Sequence, residues 1–184
     1  MSHPAWRLLL LLPTLLTGCL SVDQSTGDFA PTPTLRAITG TYRNQGTTAA
    51  GHPGDVLLSQ LLWPADPRLR HAEVATIEVA ATSARTLRVT AADKSGRALK
   101  TGDYAEGADF RLNGATLRLA DRGDRTGFRN GEPMLGVTHS VVELGLDADG
   151  QGKARRTEAA TGLVYGFIPM SLGAARDLRF EKVR

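Results

Sequence analysis

The sequence predicts an all-β domain, an antiparallel meander closing into a barrel or a sandwich, with one short helix near Val56–Trp63. Three observations carry this. Apolar and polar residues alternate with period two through several short segments, as in Arg85-Thr86-Leu87-Arg88-Val89-Thr90. Turn chemistry stands between those segments, and Asn113-Gly114 is the strongest short hairpin signal in the chain. Only one stretch places its leucines at helical spacing. Eight or nine strands at such short intervals fit a barrel or a sandwich.

In chain order, Leu35 to Asn44 reads as the first strand, with Ile38, Gly40 and Tyr42 sharing a face and Gly40 permitting close approach of a backbone or ring. Gly46 to Gly54 is a loop, and His52-Pro53-Gly54-Asp55 supplies its turn residues. Asp55 is placed to cap the helix, in which Leu57, Leu58, Leu61 and Leu62 recur with helical period and Pro64 and Pro67 end the run.

Strands follow at Glu73–Val79 and Arg85–Thr90, and Lys94-Ser95-Gly96 turns the chain into Arg97–Lys100. Phe110–Leu112 and Ala115–Leu119 flank Asn113-Gly114. Asp121 to Pro133, glycine-rich and charged, reads as a loop. A long strand from Leu135 to Leu146 needs a bulge or phase shift to keep Val137, Val141 or Val142, and Leu144 on one side. Asp147-Ala148-Asp149-Gly150 turns it into a partner from Lys153 to Ile168, broken at Gly162 or Gly166. The last strand is Asp177–Val183.

The N-terminus carries a different kind of information. Arg7 and His3 precede an apolar run from Leu8 to Leu16, interrupted by Pro13 and Thr14, in the arrangement of a secretory signal peptide. The run is less than half of the roughly 20 apolar residues a membrane-spanning helix needs. It closes on Leu16-Thr17-Gly18-Cys19, which resembles a bacterial lipobox and contains the chain's single cysteine. The resemblance implies cleavage between Gly18 and Cys19 and diacylglycerol attachment at the Cys19 thiol. Two or three acyl chains, at about 0.8 kcal/mol per buried methylene, anchor a protein durably where one does not.

Leu20 and Ser21 follow the cysteine in place of the aspartate that favours inner-membrane retention. In a diderm bacterium this implies an outer-membrane, lipid-anchored protein, on the periplasmic face in preference to the cell surface. Residues 19–34, rich in Ser, Thr, Asp and Pro, read as a flexible tether, leaving 35–184 as the folded domain.

The segment Gly40-Thr41-Tyr42-Arg43-Asn44, followed by a loop, a leucine-rich helix and a β-meander, resembles a group of proteobacterial lipoproteins of uncharacterised function with lipocalin-like domains. Its Gly-x-Tyr is similar to the Gly-x-Trp near the first strand of lipocalins, with Tyr42 in place of tryptophan. Gly40, Tyr42 and Asn44 are thus the candidate first-strand motif. The resemblance implies a lipocalin-like barrel whose interior holds a small apolar ligand.

Composition narrows the function classes. The net charge of +3 is spread among interleaved arginines and acids, and aromatics make up 5% of the chain. Neither a basic stripe nor the interleaved rings of a nucleic-acid interface is present. No Gly-x-Ser-x-Gly turn occurs, and the single cysteine belongs to the anchor. His139 and Ser140 are neighbours on a strand and point to opposite faces. His52, His71 and His139 match no metal-ligand spacing. Asp147, Asp149 and Gly150 open like a calcium loop, but Glu158 falls out of position, and a hairpin turn explains them. Arg122-Gly123-Asp124 is a three-residue match of the kind chance supplies. Lys153, Arg155 and Arg156 read as a solvated strand edge near a membrane.

The expectation is therefore a non-enzyme without cofactor or metal. Its partners are the membrane, through the N-terminal lipid, and an envelope protein or a small apolar ligand. A structural lipoprotein that docks another envelope component without a ligand is the alternative.

Overall fold

A computed structural model describes residues 19–24, 28–32, 34–120, 122–126, 134–165 and 167–183. Residues 1–18, expected to form a signal peptide and including Gly18, lie outside them. The strands are β1 (Cys19–Gln24), β2 (Gly40–Arg43), β3 (Gln45–Thr47), β4 (Pro53–Leu57), β5 (Thr76–Ala81), β6 (Thr86–Ala92), β7 (Ala98–Ala105), β8 (Phe110–Asn113), β9 (Thr116–Leu119), β10 (Arg122–Thr126), β11 (Met134–Leu146), β12 (Gly152–Val164) and β13 (Ile168–Phe180). One α-helix, α1 (Leu58–Leu62), and 3-10 turns at Leu35–Ile38 and His71–Glu73 complete the list of elements. The all-β class and the single short helix agree with the sequence.

The strands form two sheets. The smaller runs β2-β5-β6-β7. The larger runs β4-β3-β13-β12-β11-β9-β8, with β1 beside β13 and β10 beside β11. Pairing among these strands is antiparallel except for β1 with β13. The sheets meet along a seam where Arg43 N–H donates to the Glu181 carbonyl at 2.9 Å and Val183 N–H to that of Thr41 at 2.8 Å. On the other side the chain itself turns from β7 into β8, where Gly107 N–H donates to the Phe110 carbonyl at 2.7 Å.

The three 13-residue strands β11, β12 and β13 run through two different neighbourhoods. Near the body, β9 pairs with β11 at Glu143–Gly145 and β3 meets β13 at Arg179. Farther along, β10 takes over that edge of β11 at Gly136–Ser140, and β1 flanks β13 at Ser171–Arg176. The five strands β1-β13-β12-β11-β10 thus make a blade that extends from the body.

The core draws on both sheets and on α1. Ile77, Phe110 and Phe180 are essentially solvent-free, joined by Leu58, Leu61, Leu62, Leu87, Val89, Leu117, Leu178 and others. Burying one such side chain contributes roughly 1.5–3 kcal/mol. Two glycines admit the rings: a Cβ on Gly46 would stand 2.7 Å from the Phe180 ring, and one on Gly152 2.8 Å from the Tyr42 ring.

Several expectations hold in detail. The hairpin at Asn113-Gly114 forms with Asn113 opposite Thr116, and Gly114 takes the positive φ of 62° that the turn requires. Asp93 organises the turn at Lys94-Ser95-Gly96, its carboxylate accepting from the backbone of Ser95 and Arg97. In the turn at Asp147–Gly150, Asp147 accepts from the N–H groups of Asp149 and Gln151. Those residues make a hairpin turn.

Other expectations are corrected. Leu35–Ile38 is a 3-10 turn, so the first strand begins at Gly40. The helix is shorter than Val56–Trp63, because Val56 and Leu57 belong to β4, and Asp55 pairs with Arg176 instead of capping. The span expected to be a tether contains β1, and beyond it Ala30 N–H bonds the Leu146 carbonyl and Thr32 is buried. Within the expected Asp121–Pro133 loop, Arg122–Thr126 is β10, placing Arg122-Gly123-Asp124 on a paired strand. β11 runs against β12 without a register shift, so the predicted bulge is absent. Val142 faces the core, and Val137 and Val141 take the opposite face. The final strand starts at Ile168, not Asp177.

Candidate functional site

The first-strand motif is a joint in the structure. Tyr42 is buried, its hydroxyl donates to the Ile38 carbonyl at 2.7 Å, and the Lys182 ammonium lies 5.6 Å from its ring centroid. Burial pushes its hydroxyl pKa up to about 12. Gly40, opposite Val79, has a φ of 146°, which lets the chain leave the 3-10 turn into β2.

Asn44 is 2% exposed and uses its whole amide. Its Nδ2 donates to the carbonyls of His71 and Val74, each at 3.0 Å, and its Oδ1 accepts from the Ser59 N–H at 2.8 Å. Asn44 therefore supplies from a distance the α1 cap expected of Asp55. Gln60 adds to it by accepting from the Leu57 N–H at 2.8 Å. These residues hold the first strand, the helix and the His71 turn together, and none of the three projects a polar group toward a ligand space.

Between the sheets lies an apolar cavity of about 70 Å³, lined by Ile38, Tyr42, Leu62, Phe110, Leu144 and Phe180 among others. Small-molecule sites usually occupy roughly 300–1,000 Å³. The interior is filled by the protein's own side chains.

A larger, open groove of about 640 Å³ with a mixed polar and apolar lining runs between α1 and the inner face of the blade. Asp55, Gln60 and His71 line one wall, and Thr138, Ser140, Arg156 and Glu158 the other. Arg156 and Glu158 form an ion pair. His71 Nδ1 lies 3.0 Å from the Ser59 hydroxyl, but Ser59 is completely buried and its hydroxyl cannot meet a substrate. Ser140 faces the groove, whereas His139 shares the opposite face of β11 with exposed Val137. The two do not meet. Among the described residues, no three of His, Cys, Asp and Glu are grouped to hold a metal ion.

Sequence reasoning missed one buried charge cluster. Asp177 accepts from Lys153 Nζ at 2.9 Å and from Arg155 Nε at 2.8 Å and Nη2 at 3.0 Å. The Phe29 ring covers both cations, with centroid distances of 5.0 Å to Lys153 and 5.3 Å to Arg155. β12 lies between β11 and β13, and Lys153 is 3% exposed, so this is no solvated strand edge. The Lys153–Asp177–Arg155 set ties the span before β2 to the body. Its sequence signal was only Lys-x-Arg on one strand and a lone aspartate on another, whose pairing depends on register.

No protein-family profile matches the chain, and neither the curated proteins nor the solved structures contain a significant match. Among the described residues, no helix is long and apolar enough to cross a membrane.

Proposed function

We propose that this chain is a lipid-anchored bacterial envelope protein whose domain works as a non-enzymatic interaction or assembly module. The Leu16-Thr17-Gly18-Cys19 pattern behind an apolar leader carries the anchoring part of the reading. Outer-membrane residence follows from Leu20 and Ser21 after the cysteine, in a diderm host. A lipocalin-like barrel is the architecture we favour, supported by the seam that joins β2 to the chain's last residues.

The cavity of about 70 Å³ favours docking of another envelope component over carriage of a small apolar ligand. The groove between α1 and the blade is the surface best shaped for such docking, because its wall combines acceptors and donors with apolar side chains such as Leu61 and Val142.

Metabolic labelling with a palmitate analogue, on wild type and Cys19→Ala, followed by membrane fractionation, tests the anchor. Label and membrane association that vanish with Cys19 are expected. Label in neither protein overturns the lipoprotein reading.

A further inference from the structure

Among the described residues, every large hydrophobic side chain that stands exposed, apart from Val183, lies at the far end of the blade. Leu135 and Val137 come from β11, Leu163 and Tyr165 from the end of β12, and Phe167 and Ile168 from the turn into β13. Phe167 is 73% exposed and Tyr165 66%. Leu135, Leu163 and Pro169 are register partners and share one face of the blade.

Charge is missing from the β12–β13 side of the same end, while β10 sets Arg122, Asp124 and Arg125 beside Ser140, Thr138 and Val137 of β11. From Ala159 to Ala175 the chain has no charged residue, and from Met134 to Val142 only His139 can titrate. Of the charges that bound this region on β12 and β13, Arg156 pairs with Glu158 and Arg176 with Asp55. The turn residue Tyr165 adopts a positive φ of 52°, a conformation glycine or asparagine takes readily and an aromatic residue reaches at a cost of roughly 1–2 kcal/mol. A solvent-facing hairpin gains nothing from a tyrosine there.

We propose that this end of the blade enters the interfacial layer of a phospholipid bilayer, as a second and non-covalent membrane contact. Its occupant is lipid for two reasons. The tip turn and its flanks from Ala159 to Ala175 carry no charge, and tyrosine and phenylalanine at an apolar tip suit the boundary between headgroup and acyl chain. The register also places Cys19 opposite Ser171, three positions past Ile168, so at about 3.3 Å per residue the cysteine backbone sits roughly 10 Å from the tip turn. A lipid on Cys19 would bring its membrane to that end. This second reason rests on the lipoprotein reading; the exposure and charge pattern do not. An interfacial element of this kind buries its apolar part about 5–10 Å deep.

The test uses the full chain as cells produce it, reconstituted into phosphatidylcholine vesicles with bromine on the acyl chains, comparing Phe167→Trp with wild type. The added indole is expected to shift to the blue and lose most of its emission, more with bromine near the headgroup than near the chain end. Adding salt is expected to change neither effect. The double substitution Tyr165→Ser with Phe167→Ser then lowers vesicle recovery of chain made without the acyl group.

Emission from Phe167→Trp that is indifferent to bromine overturns the proposal. So does a dimer in sedimentation that the double substitution dissolves, since the tip then covers a second copy. Palmitate label at Cys19 without quenching removes the tip contact and keeps the anchor. Quenching without label does the reverse.

Discussion

The near and far halves of β11, β12 and β13 share one register and the same backbone hydrogen-bonding ladder, yet they face different surroundings. In the near half, Val142, Ala154, Leu178 and Phe180 are buried under α1 and the smaller sheet. In the far half, Leu135, Val137, Leu163 and Ile168 stand exposed, and among the described residues no layer packs above them. Strand pairing satisfies the backbone in both halves, so hydrogen bonding does not distinguish them. A second layer does. Apolar residues without that layer retain a hydrophobic free energy that only an outside partner can realise.

The largest expected contrast comes from two phenylalanines on the same strand system. Phe180→Ala removes a fully buried ring set against Gly46 and is expected to cost about 3–5 kcal/mol in urea unfolding. Phe167→Ala, at the exposed turn, is expected to change stability by less than about 0.5 kcal/mol. Equal costs would erase the distinction between the halves.

Asp177→Ala comes next. It strands the buried Lys153 ammonium and is expected to cost about 3–5 kcal/mol, part of it recovered when Lys153→Met is added. Full additivity of the two changes in a double-mutant cycle would show that the charges do not act together.

The smallest effect is a pH dependence confined to the body. With the Tyr42 hydroxyl raised from 10.0 to about 12, the unfolded chain loses this proton first as pH rises. The associated stability is fully present below pH 10 and falls away as pH climbs through about 12, by about 2–3 kcal/mol in total. Tyr42→Phe is expected to remove that fall. An unchanged alkaline slope in Tyr42→Phe would assign it to other groups.

Local chemistry was legible wherever it acts over a few residues. Asn113-Gly114 forms its hairpin and Asp147–Gly150 its turn because the side-chain and φ requirements are met within each turn. Long-range partners were not. Asn44 caps α1 from another element, and Asp177 meets Lys153 only through strand register. The blade was misread for a related reason. One apolar face holding Val137, Val141 or Val142, and Leu144 would require a bulge or phase shift in β11. The even positions from Val142 onward serve the core, while the odd positions before them face outward.

By itself, then, the sequence determined the all-β class, the position of its short helix and its tight turns, since each follows from periodicity or backbone preference. Tertiary structure decided which residues close the seam between sheets, which charges are buried, and which apolar positions remain uncovered. Those outcomes depend on what packs against a strand, and alternation along a single strand carries no record of its neighbour.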